Sequence, residues 1–114
     1  MYMKTIYDNT ISNIVTSEYL DYLIDKVFAL LPMYEESRIY IDKEQSFKIY
    51  QNILIQTING NASLVQYNDS IVIDILSHLE VLKEIHTHAE YKRHILKVCK
   101  LLTILKKGVL KDGI

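Results

Sequence analysis

His86, His88, Glu90 and His94 fall within nine positions of one another. Imidazole and carboxylate are common ligands of zinc and its neighbours, and residues four apart on a helix lie on one side, so Glu90 and His94 would share a face. Asp74 and His78 repeat that spacing upstream, and a tight helical hairpin would bring the two pairs together. The segment nevertheless lacks a spacing such as H-E-x-x-H, in which two imidazoles meet one ion with a general base beside them. A junction between helices also accepts histidines simply because it is exposed. No metal and no cofactor are therefore expected, with His86, His88, Glu90 and His94 as weak candidates only.

Cys99 is the single cysteine of the chain, so no intramolecular disulfide can form, which fits a reducing cytoplasm. A nucleophilic thiol needs an activating base. His94 and His78 are the nearest candidates, and no third group is evident to orient either. Cys99 is read as a small buried hydrophobe. Gly60, Gly108 and Gly113 do not form a phosphate-cradling loop. No catalytic residues are assigned, and the protein is expected not to be an enzyme.

Charge is unevenly spread. From His88 onward seven basic residues face two acidic ones, a net of +5, whereas the rest of the chain holds six basic and twelve acidic residues, a net of −6. At roughly 100° per residue, Arg93, Lys97, Lys100, Lys107 and Lys111 fall in one narrow sector of a helix. Leu96 and Ile104 lie on or beside it, opposite Tyr91, Ile95, Val98, Leu102 and Leu105. Such a face suits either nucleic-acid phosphates or an acidic protein surface. The formal charge of the whole chain is only −1, whereas nucleic-acid modules are commonly basic throughout. The mixture with apolar side chains also favours a protein. Glu18, Asp21 and Asp25, at spacings of three and four, offer an acidic counterpart in the same molecule or in a second copy. Tyr19, Tyr22, Tyr34 and Tyr40 form a second-choice contact surface, since tyrosine joins an apolar ring to a wet hydroxyl.

The elements that position these residues are helices. Leu20, Leu23, Ile24, Val27 and Leu31 predict a helix over 17–31, capped by Thr16 or Ser17 and ended or kinked by Pro32. Arg38-Ile39-Tyr40-Ile41 is β-prone but too short for a sheet. Asp42 and Gln45 resemble a capping box that opens a helix over 43–59, with Phe47, Tyr50, Ile53, Leu54 and Ile58 inward and Asn59-Gly60-Asn61 as its stop. Asn68 or Asp69 caps a third helix over 69–85, whose face is Val72, Ile75, Leu76, Leu79 and Leu82. Thr87-His88-Ala89-Glu90 is a capping box opening a fourth over 88–107, closed by Gly108. Residues 1–15 form a short helix or an arm. Four amphipathic helices with mostly short connections predict an all-α fold, a small antiparallel bundle in a single domain over 1–114, with dimerisation as a second way to complete its core.

The chain has 114 residues, of which 49% are hydrophobic and 24% charged, the balance of one folded domain. No run approaches the ~20 apolar residues of a membrane span, and the N-terminus does not read as a signal peptide. The expectation is a small cytoplasmic, non-enzymatic interaction, adaptor or regulatory protein that binds a protein partner, with a homodimer favoured. By analogy of size and lack of motifs, it fits accessory proteins of phages, plasmids or defence systems. The alternative is a nucleic-acid-binding accessory protein that uses its basic last helix.

Overall fold

The computed structural model describes the backbone of residues 2–61 and 69–112 and the side chains of residues 15–61 and 70–109. Four helices, α1 (Tyr2–Ile39), α2 (Ile41–Gly60), α3 (Asp69–Val81) and α4 (His88–Asp112), account for nearly all of it, and α3 ends in a 3-10 turn, Leu82–Glu84. No strand occurs among the described residues. The fold is a small all-α bundle.

Cross-links between helices define the topology. Tyr34 meets Phe47 and Tyr19 meets Asn61, so α2 runs antiparallel to α1. Glu35 meets His88, Ile24 meets Cys99 and Asp21 meets Lys106, so α4 also runs antiparallel to α1. His78 meets His94 across the α3–α4 hairpin. The result is up-down-up-down, with α1 packed between α2 and α4. The molecule measures 57 × 21 × 18 Å. A helix of 38 residues rising ~1.5 Å per residue spans that length, so α1 sets the long axis.

The core is built from Leu20, Leu23, Val27 and Leu30 of α1, Leu54, Ile55 and Ile58 of α2, Ile75 and Leu79 of α3, and the inward ridge of α4. Tyr91, Ile95, Val98, Leu102 and Leu105 are all buried, as their spacing predicts.

Several local expectations fail for identifiable reasons. Of the two outcomes expected at Pro32, an end or a kink, the end does not occur: α1 passes through it. Pro32 and Phe28 are exposed, so the carbonyl that loses its donor lies on a solvated stretch, and Leu30 and Leu31 before the proline and Tyr34 after it hold the helix in the core. Thr16 and Ser17 are accordingly interior to α1, not caps. Arg38–Ile41 forms no strand, in keeping with a run too short for a sheet; Tyr40 alone is extended, at φ −112° and ψ 112°, and supplies the N-cap of α2 without a side-chain bond, so Asp42 is not the cap. Helix α2 closes at Asn61 with φ −100° and ψ 10°, not in left-handed geometry. Its inner face is turned relative to the expected one: Ile53 is 58% exposed, while Gln51 and Ile55 point inward. Gly108 lies inside α4, which continues to Asp112. Asn68 lies outside the described residues.

Candidate interaction surface

Helix α4 begins where Thr87 accepts the Glu90 backbone N–H at its Oγ1, 3.4 Å away, the N-cap bond that its sequence predicts. With the helix set in that phase, its inward ridge fixes what points outward. Arg93, Lys97, Lys100 and Lys107 are exposed, with Leu96 (45%) and Ile104 (43%) half-exposed among them. The side chain of Lys111 lies outside the described residues. Among the described residues, none of those four cations is in an ion pair. Lys106, one position round the helix, behaves differently, placing Nζ 2.7 Å from Asp21 Oδ1 of α1.

That arrangement costs energy in the isolated molecule. Arg93 and Lys97 are four apart and Lys97 and Lys100 three apart, spacings at which like charges repel by a few tenths of a kcal/mol per pair. Lys107 is offset in part by the helix C-terminus. The acidic residues that reach α4 attach elsewhere: Asp21 to Lys106, and Glu35 to His88, with Nε2 2.8 Å from Oε1. Both pairs join α1 to α4 along their seam, and among the described residues no carboxylate pairs with the outer cations Arg93, Lys97, Lys100 and Lys107. On α1, Glu18 and Asp25 are exposed.

The histidine cluster disperses. His88 is bound to Glu35, while the backbone carbonyl of His86 accepts the Arg38 guanidinium at 2.6 Å. His94 turns to α3, where its Nδ1 lies 2.8 Å from Nδ1 of His78, and Nε2 of His78 is 3.8 Å from Asp74 Oδ1. The tight hairpin does bring the two i, i+4 pairs together, as an imidazole pair. Among the described residues no three His, Cys, Asp or Glu side chains converge to hold a metal. Burial lowers the His94 pKa, the charges of His78 and Arg93 lower it further, and Glu90 opposes them. This pair can share or exchange a proton.

Cys99 is partly buried, with Sγ 3.9 Å from the carbonyl of Ile24. Burial, and then Asp25, push its thiol up to about 11, so at neutral pH it is protonated and a poor nucleophile.

The four tyrosines do not make one surface. Tyr19 and Tyr22 stack at 6.4 Å along α1, and Tyr40 is exposed at the α1–α2 break. Tyr34 is core, stacked face to face on Tyr91 at 4.1 Å and 7°. It is buried because it follows Val27, Leu30 and Leu31 on the inward ridge once α1 continues past Pro32. Sequence reasoning missed two further polar groups. Gln51 is buried and accepts the Tyr91 hydroxyl at 2.6 Å, and Arg38 links Tyr34 to the α3–α4 connection. The signal for Gln51 was available, since it stands one turn after Phe47 and one before Ile55.

No helix is long and apolar enough to cross a membrane among the described residues. No protein-family model, curated protein or solved structure matches the chain.

Proposed function

We propose that this is a small non-enzymatic cytoplasmic protein, an adaptor or regulator that acts by docking the outer face of α4 on an acidic surface of a protein partner. The observation that carries the reading is the row Arg93, Lys97, Lys100 and Lys107, exposed, without an ion pair among the described residues and interleaved with Leu96 and Ile104. Charges of one sign steer an encounter and select its register, and the half-exposed apolar groups contribute burial once water is expelled. A protein partner is preferred to nucleic acid because the chain is net negative and the face is partly apolar. The non-enzymatic reading is supported by a protonated Cys99, by His78 and His94 engaged with each other and by His88 engaged with Glu35.

The test uses the full chain as bait in extract of its native host, beside the charge-reversed variant Lys97→Glu/Lys100→Glu. We expect a stoichiometric protein captured by the natural chain, released by salt and absent from the variant. A capture pattern identical for both baits overturns the assignment. So does salt-dependent retardation of duplex or single-stranded nucleic acid that the same variant abolishes.

A further inference from the structure

The α1–α2 break and the α3–α4 connection lie at the same end of the bundle, and a cavity of about 240 Å³ opens between them. Polar and apolar side chains share its lining, and one part of the wall is apolar and aromatic. Tyr34 and Tyr91 lie stacked, Phe47 meets Tyr34 edge-on at 5.9 Å, and Leu82 continues the surface. At the back, Gln51 is 5% exposed and takes the Tyr91 hydroxyl bond.

The rim is cationic. Arg38, Lys48 and Lys83 line it against the single carboxylate of Glu44. Lys48 is held by Glu44 at 3.0 Å and Lys83 by Glu80 at 3.4 Å, both exposed pairs that a ligand can displace at little cost. Arg38 has no carboxylate partner among the described residues. Its Nη1 donates to the His86 carbonyl at 2.6 Å and to the Tyr34 hydroxyl at 3.2 Å, and the guanidinium stands 5.7 Å from the centre of the Tyr34 ring. It is therefore held in place by neutral acceptors and keeps its whole charge. A guanidinium presents five donors, so the ones that neither contact uses remain for a planar anion.

We propose that this cavity binds a small planar organic anion, a single-ring aromatic carboxylate, with Arg38 and Lys83 on the carboxylate and the Tyr34, Phe47 and Leu82 wall against the ring. The size argues for one ring, because the volume falls short of the ~300 Å³ at which sites for drug-sized ligands begin. Charge selects the anion and planarity selects a carboxylate, which matches the guanidinium fork two bonds to two.

Sodium benzoate, benzamide and inorganic phosphate, titrated separately into the ¹⁵N-labelled full chain, test this. Benzoate is expected to shift amides near Phe47, Leu82 and Ile85 to saturation, with a Kd at or below about 1 mM. Benzamide and phosphate are expected not to saturate. Arg38→Gln should weaken benzoate binding by about tenfold or more, as loss of a charge-assisted bond does. Should that variant melt lower than the natural chain, Lys83→Gln carries the comparison, since among the described residues the polar partner of the Lys83 ammonium is the exposed Glu80. The variant Lys97→Glu/Lys100→Glu should bind benzoate unchanged, which separates this site from the α4 face. Failure of benzoate to saturate overturns the proposal. Equal affinity for benzamide or phosphate, or natural affinity in both Arg38→Gln and Lys83→Gln, does so too.

Discussion

His78 and His94 approach nitrogen to nitrogen at 2.8 Å, a separation that tolerates one proton between the two atoms and not two. Around the pair stand Asp74, 3.8 Å from His78, Glu90, which favours a charged His94, and Arg93, which opposes it. Burial comes first in depressing His94, so the folded chain holds its proton less tightly than the unfolded chain, whose histidine titrates near 6.5. The unfolded state then binds more protons between the two values. Stability from this source is complete above about pH 6.5 and is lost as the pH falls through the depressed folded value. The natural chain should therefore lose melting temperature between about pH 7 and pH 5 more steeply than His94→Gln, whose amide does not titrate. Parallel curves for the two proteins would show that the contact carries no proton linkage. Part of this was legible beforehand: the two i, i+4 pairs were visible, and so was their approach in a hairpin. Sequence spacing did not show that the His88 ring would meet Glu35 of α1, or that the His86 backbone carbonyl would accept from Arg38, because those partners lie about fifty residues away.

At the scale of elements, what sequence spacing reveals depends on how one-sided a helix is. Helix α4 separates its cations from its apolar ridge cleanly, and every expected core residue there is buried. Helix α2 is apolar on more than one side. Its face was misplaced because Ile53 looked like core and Gln51 like surface, whereas the Tyr91 hydroxyl satisfies Gln51 inside and leaves Ile53 outside. At Pro32 local preference was outweighed by packing on both sides of the position, whereas the cap expected at Thr87 does form. Proline in a helix interior costs about 3 kcal/mol relative to alanine. Pro32 is exposed, so replacing it removes no core contact. Pro32→Ala should restore the bond to the Phe28 carbonyl and raise stability by about 1–3 kcal/mol, read as a higher urea midpoint at unchanged slope. A lower midpoint would mean that the proline sets an axis direction that the last two turns of α1 require.

Taken whole, the molecule is a rod with opposite charge on different faces, and that bears on whether copies of it meet. The cationic face of α4 and the exposed Glu18 and Asp25 of α1 lie on neighbouring helices of one protomer. In a two-fold pair each surface would meet the other's complement, so any such contact would form twice. Exposed ion pairs contribute about 0–1 kcal/mol each. Four of them alone therefore reach only about 4 kcal/mol, which corresponds to a Kd near 1 mM. A tighter dimer needs apolar burial as well, and Leu96, Ile104 and the half-exposed Phe28 on the α1 side are the groups placed to supply it. Sedimentation of the full chain should then show an average mass above the 13.4 kDa protomer at about 0.05 M salt. The mass should return to the protomer at about 0.5 M, where the screening length has shrunk to about 4 Å. Leu96→Ser should weaken the association at low salt without abolishing its salt dependence, whereas Lys97→Glu/Lys100→Glu should abolish both. A protomer mass at every salt concentration would leave the α4 face to a different protein, and a dimer indifferent to salt would move the contact to an apolar surface elsewhere, such as the exposed Ile39–Tyr40–Ile41 tip.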